Sequence, residues 1–245
     1  MTPIATETTQ PAGVSSGAID FGQLPYLWNI YERSISFWVS PTSDDAANTV
    51  VAMVSTDAGF IASTLTSGGT SQVYFSQKGS TTDGQWTSPA DSLTLNAWNH
   101  VVITRNSFFP ATSPVIYING TSVAITQVAA QVGAIDDETG CSLSLNNYSA
   151  TDIYKSGLNG KIMDVRLYGG KILTQAQVTE LYNAGTLDTA CNLDLLPYIQ
   201  FQAPNIMTTR LAEYTDAVLT DGMNVIDNIY FTIGLPVNTV TGRTT

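Results

Sequence analysis

The sequence predicts an all-β protein, a sandwich of two antiparallel sheets that carries one short helix. Short runs of alternating apolar and polar residues recur at roughly ten-residue spacing, separated by turn residues. Asn119-Gly120 joins two β-rich runs, 115–119 and 121–125, and this pair accepts the positive φ angles of a tight hairpin. A full set of helix start and stop signals falls at 174–184.

Residues 1–17 are polar, with Pro3 and Pro11, and read as an extended arm. Strands follow. Residues 34–40 set Ile35, Phe37 and Val39 against Ser34, Ser36 and Trp38. The runs 49–55, 72–77, 100–105, 141–145 and 161–168 continue the series. In the helix, Thr174 is the N-cap and Gln177 completes a capping box. Leu173 and Val178 form the staple, Val178, Leu181 and Tyr182 the apolar stripe, and Gly185 the stop. A second helix is expected at 209–220, where Leu211, Tyr214 and Val218 share a face, and a strand at 223–233. The organisation is an arm (1–17), a sandwich (18–190) and a C-terminal helix-strand extension (191–245) for docking or oligomerisation.

Composition narrows the function. The chain has 245 residues and is 43% hydrophobic, too apolar for a disordered polymer. Only 12% of residues are charged, and the net charge is -11. An acidic surface repels phosphate, which argues against nucleic acid and against anionic membranes as partners. The uncharged stretch between Arg105 and Asp136 is broken by Pro110, Pro114 and Asn119-Gly120, so it does not read as a membrane span. Cys141 and Cys191 each alternate with leucines and are expected as free thiols facing the core.

Four stretches together resemble a laminin G-like domain of the concanavalin A-like lectin/glucanase superfamily. They are Ser34-Ile35-Ser36-Phe37-Trp38-Val39, Trp98-Asn99-His100-Val101-Val102, Tyr117-Ile118-Asn119-Gly120, and the run from Gly160 through Asp164-Val165-Arg166 to Tyr168, followed by Leu173-Thr174 and Tyr182. The resemblance covers roughly residues 18–190 and implies a jelly-roll sandwich. Family members include lectins, adhesion modules and glycan hydrolases, so fold does not settle function.

The residues argue against catalysis. Glycosidic cleavage needs two carboxylates flanking one bond, and the laminarinase-type Glu-x-Asp-x-x-Glu strand of the superfamily is missing. The lone His100 reads as a packed strand residue, and no nucleophile elbow is present. Calcium is the one metal to weigh: Asp136, Asp137 and Glu138 in one loop, and Asp44-Asp45 in another, offer hard oxygen ligands. Their competing reading is a solvated acidic turn. For a glycan, the candidates are Trp86 beside Asp83 and Gln85, and Tyr148 between Asn147 and Asp152. The competing reading of Trp86 is a ring folded over the sheet edge.

The expectation is a non-enzymatic structural or surface component of a bacteriophage virion (capsid decoration, fibre, tail or neck subunit). Its partners would be other virion proteins, copies of itself and possible host-surface glycans. Residues 1–13 show no secretion signal, while modules of this family work outside the cell, which phage proteins reach by lysis. A free carbohydrate-binding or adhesion module is the alternative.

Overall fold

The computed structural model describes residues 6–8, 19–42, 48–67, 69–146, 158, 160–184, 198–202, 218–219 and 230–234. The strands are β1 (Thr6–Thr8), β2 (Ile19–Gln23), β3 (Glu32–Pro41), β4 (Asn48–Val54), β5 (Gly59–Ser67), β6 (Thr70–Gln77), β7 (Gly84–Thr87), β8 (Asn99–Asn106), β9 (Val115–Ile118), β10 (Thr121–Val123), β11 (Thr126–Ala129), β12 (Ser142–Leu145), β13 (Gly160–Gly169), β14 (Tyr198–Gln202), β15 (Val218–Leu219) and β16 (Tyr230–Gly234). Helix α1 spans Gln175–Ala184. Every strand pair is antiparallel. The first sheet runs β10-β9-β8-β3-β13-β14-β16, with β1 also on β13, and the second runs β11-β7-β6-β5-β4-β12-β2-β15. This is the expected concanavalin A-like sandwich.

Alternation decides which face each strand buries. Ile35, Phe37 and Val39 of β3 meet Val51, Phe60, Val73 and Phe75 from the second sheet in one core. The outer face of the first sheet is not left to water. Val102, Tyr117 and Tyr168 pack there with Leu173, Val178 and Leu181 from α1 and its approach, as a second, smaller core. Ser34 and Ser36 are therefore buried too. The capping box is present as read: the Thr174 amide donates to Gln177 Oε1 at 2.9 Å, and the Gln177 amide to Thr174 Oγ1 at 3.3 Å.

The hairpin closes with Ile118 opposite Thr121. Asn119 (φ 50) and Gly120 (φ 80) both lie in the left-handed region, as a two-residue turn matched to strand twist requires. Asn119 Oδ1 accepts the His100 amide at 2.9 Å, and Gln175 Nε2 donates to the Gly120 carbonyl at 2.6 Å. The turn thereby anchors the helix. His100, 2% exposed, lies beneath it, its ring 5.0 Å from Trp38 and 6.0 Å from Tyr182, with Nε2 3.0 Å from Ser36 Oγ.

The outer segments differ in part from expectation. Val218–Leu219 is a strand paired with Asp20 and Ile19 rather than the end of a helix; the rest of the expected helix at 209–220 lies outside the described residues. The open edge of β2 offers backbone donors and acceptors that a short β-prone pair satisfies. Of the strand expected at 223–233, residues 230–233 fall in β16, against β14, and 223–229 lie outside the described residues. Within the arm, β1 pairs with the end of β13. The described pieces of both outer segments thus pair with strands of their own chain.

Two outcomes follow. Thr174→Ala should cost about 1 kcal/mol, the usual loss for a cap, measured by urea denaturation; an unchanged midpoint would contradict the cap. Burial first, and Arg166 second, push the His100 pKa down from 6.5 to about 3. The unfolded chain then binds the proton that the folded chain refuses, so stability falls as pH drops from about 6.5 toward 3. His100→Gln should flatten that slope in a series of denaturation curves; an identical slope would contradict it.

Candidate functional site

One end of the sandwich gathers most of the chemistry. The register places Arg33 at the start of β3 opposite Arg105 near the end of β8. Arg33 is in phase with Ile35 and Phe37, and Arg105 with Ile103 and Val101. Both guanidiniums therefore point inward, between the sheets. Each rests on an aromatic ring of the opposite sheet: Arg33 lies 4.8 Å from the Phe60 centroid, and Arg105 4.3 Å from that of Trp86.

The two arginines differ in their partners. Arg33 forms a forked pair with Glu138, Nη1 to Oε1 at 3.1 Å and Nη2 to Oε2 at 2.8 Å. Glu138 is fully buried and also accepts the Asn29 amide at 2.8 Å. Asn29, in the left-handed region at φ 55, returns the bond: its Oδ1 accepts the Glu138 amide at 2.9 Å, and its Nδ2 donates to Asp137 Oδ1 at 2.8 Å. Trp28 Nε1 adds a bond to the Cys141 carbonyl at 2.9 Å. The loop before β3 is thus stapled to the loop before β12.

Arg105 Nη2 donates to Gln131 Oε1 at 2.6 Å and to the Pro110 carbonyl at 3.3 Å. Its Nε and Nη1 have no hydrogen-bond partner, although the residue is only 4% exposed. Among the described residues no carboxylate pairs with it. Burial pushes its pKa down to about 10, still charged at neutral pH. A small pocket of about 10 Å³, room for one water, is lined by both arginines with Ile35, Phe75, Ile103, Gln77 and Ser107. Tyr31 also lines it and is 43% exposed. Its ring stacks edge-on against Phe108 at 5.5 Å, and Phe108 against Phe109 at 5.1 Å. Phe108 and Phe109 are more than half exposed, so this end carries an open aromatic ledge.

The residues expected to act distribute as follows. Trp86 is not a surface ring: it is 1% exposed, stacked on Phe75 at 6.1 Å and covered by Arg105. Strand alternation in β7 turns it inward, and Gly84 leaves the room its ring fills. Asp83 accepts from Lys78 Nζ at 2.9 Å and from the Gly79 amide at 3.3 Å. Gln85 sits opposite Ser76 on the outward face of the second sheet. Asn147, Tyr148, Asp152, Asp44 and Asp45 lie outside the described residues, as does Cys191. Cys141 is a buried free thiol.

Of the acidic run Asp136-Asp137-Glu138, the last two carboxylates are engaged within the protein. Glu138 spends both oxygens on Arg33 and Asn29. Asp137 accepts from Asn29 and, through Thr139, closes its own turn; these bonds hold its carboxyl below the usual carboxylate range. Among the described residues no group of three or more His, Cys, Asp or Glu side chains is placed to hold a metal. Reading residue types missed the two arginines and the ledge. The signal for the arginines was their phase with the buried alternation; for the ledge it was Phe108-Phe109 beside Pro110 in a loop.

Residues 15–179 match the family model of the concanavalin A-like lectin/glucanases superfamily, and the chain belongs to that family. No curated protein matches it in sequence. Among solved structures it is similar to the native heptameric SAP-like pentraxin of Limulus polyphemus, with TM-score 0.61 and 12% identity over 94% of this chain and 95% of that one. It is similar to the CBM40 of the Ruminococcus gnavus IT-sialidase bound to α2,3 sialyllactose, with TM-score 0.54 and 16% identity over 72% and 97%. It is also similar to a botulinum neurotoxin type C structure concerned with interaction with two ganglioside molecules, with TM-score 0.51 and 19% identity over 74% and 46%. At these identities the likeness is one of fold.

Glu138→Gln removes the charge that Arg33 needs and should cost about 3–5 kcal/mol, as breaking one side of a buried pair does. Thermal unfolding in calcium and in EDTA checks the assignment. The loss should be equal in both; a loss seen only with calcium present would restore a metal role to Glu138.

Proposed function

We propose that this member of the concanavalin A-like lectin/glucanase superfamily is a non-catalytic carbohydrate-binding module, and that it binds through the arginine end of its sandwich. The observation that carries the reading is the ledge of Tyr31, Phe108 and Phe109, exposed and braced edge-to-face. Apolar sugar faces stack on such rings, and the loops beside them supply amides and hydroxyls for the sugar hydroxyls. The fold is shared with proteins named for sialyllactose and ganglioside interaction. The buried carboxylates Glu138 and Asp164 are both held by arginines rather than set as an acid and a nucleophile.

The finer part of the proposal is the setting: a surface subunit of a virion, as capsid decoration, fibre or tail component, in which copies pack together. Its support is the low charged content of 12%, which suits contact between like subunits. Immunogold labelling of purified particles tests this part; an unlabelled particle would leave the free module.

The binding part is tested on a glycan array with the wild type and with Tyr31→Ala and Phe108→Ala. Both substitutions remove exposed side chains, so the fold should survive while affinity for the bound glycan falls about tenfold or more, the share expected of a stacking hot spot. An array without signal, or variants that bind like the wild type, would contradict the ledge.

A further inference from the structure

We propose that Glu32 and Asn106 grip the hydroxyl edge of the sugar whose face rests on the aromatic ledge, and that this pair selects neutral saccharides with two adjacent hydroxyls over sialylated and uronic ones. The register sets Glu32 directly opposite Asn106, where β3 begins and β8 ends. Asn106 Nδ2 donates to Glu32 Oε1 at 3.1 Å, and Asn106 Oδ1 accepts the Phe108 amide at 3.1 Å. A single amide group thus joins the Glu32 carboxylate to the backbone of the ledge. Ser107 closes the other side: its amide and its hydroxyl both donate to the Tyr31 carbonyl, at 2.8 and 3.0 Å. The Thr112 amide donates to the Phe109 carbonyl at 2.9 Å, and the Gly170 amide to the Glu32 carbonyl at 2.8 Å. The rings and the polar pair are held in one frame by these bonds.

Both side chains meet solvent: Glu32 is exposed, Asn106 is half-buried, and the bond between them lies at the surface. The Asn106 amide has two N–H donors and gives one to Glu32; the carboxylate has two oxygens and Asn106 occupies one. The pair therefore presents an N–H donor beside a charged acceptor. That is the complement of two adjacent sugar hydroxyls, one accepting and one donating. A hydroxyl takes the place of a water there, and its bond to a charged oxygen is of the stronger kind. The rings read the apolar face of the sugar, and the pair reads its edge. Among the described residues no Lys or Arg forms an ion pair with Glu32. A ligand carboxylate brought beside it meets like charge, in a chain whose net charge is already -11.

The inference rests on the carbohydrate reading and names its ligand class, and it can fail separately. Titration calorimetry on the full chain would compare cellobiose, maltose and lactose with cellobiouronic acid and α2,3 sialyllactose, the acidic counterparts of cellobiose and lactose. A neutral disaccharide should bind about tenfold or more tightly than its acidic counterpart. An acidic counterpart that binds as well or better would overturn the preference, while Tyr31→Ala and Phe108→Ala still report on the ledge. No binding of the three neutral disaccharides would overturn it as well, even if other glycans on the array bind. Glu32→Gln keeps an acceptor for Asn106 at an exposed position, so Tm should hold. Its affinity for the neutral disaccharide should fall about tenfold, the worth of a bond to a charged group, and the preference over the acidic counterpart should shrink. Asn106→Asp keeps an acceptor for the Phe108 amide but loses the N–H donors, and should weaken the neutral disaccharide at least as much. Either variant binding both sugars like the wild type would overturn the proposal.

Discussion

Two arginines opposite each other on neighbouring strands inside the end of a β-sandwich, one of them paired with a buried carboxylate, set the terms for everything near that end. Alternation along β3 and β8 leaves Arg33 and Arg105 no outward option without turning Ile35, Phe37, Val101 and Ile103 into solvent as well. The chain resolves the conflict for Arg33 with a buried glutamate. Glu138 reaches it because Asn29 clasps the Glu138 backbone and side chain together. That clasp also fixes the loop before β3, hence Tyr31, hence the aromatic ledge. For Arg105 the chain supplies an amide, a carbonyl and the Trp86 ring, and nothing that carries negative charge.

The remainder of the molecule supports that end. The main core ties the sheets face to face, and α1 seals the outer face of the first sheet through its own small core. Tyr182 stacks on Trp38 at 5.8 Å, and the helix is bonded to the carbonyl of Gly120, so hairpin, helix and β3 are tied to one another. Arg166 and Asp164 close a second buried pair within β13, at 2.8 and 2.7 Å, where Asp164 takes φ 51 at a break in register. In this pair a carboxylate faces the guanidinium. No described carboxylate pairs with Arg105.

Much of this was legible in the residues. The period of two gave β3, β8 and β13, Asn119-Gly120 gave the hairpin, and Thr174 with Gln177 gave the helix start, because each rests on local geometry. The placement of Trp86 was not legible. Its strand has four residues and stands between Gly-rich and Pro-containing turns, so the local sequence looks like a polar loop; only pairing with β6 turns the ring inward. The role of Glu138 in the acidic run Asp136-Asp137-Glu138 was not legible for a related reason. Residue type suggested hard metal ligands, while the partner that claims Glu138 lies 105 positions earlier in the chain. Arg33 and Arg105 were missed, although charges in phase with the buried alternation of a strand signal either a buried pair or a site. Val218 was read from a helical period that the edge of β2 overrode.

The central claim is that the ledge of Tyr31, Phe108 and Phe109 is where the sandwich holds a sugar. The most direct measurement follows the ring resonances of Phe108 and Phe109, in protein labelled with 13C-phenylalanine, as a glycan that binds on the array is added. The chain has eight phenylalanines, so the signals can be assigned by substitution. Saturable shifts of the Phe108 and Phe109 rings are expected, while those of the buried Phe60 and Phe75 stay fixed. Phe108 and Phe109 resonances unmoved at saturating glycan would contradict the claim.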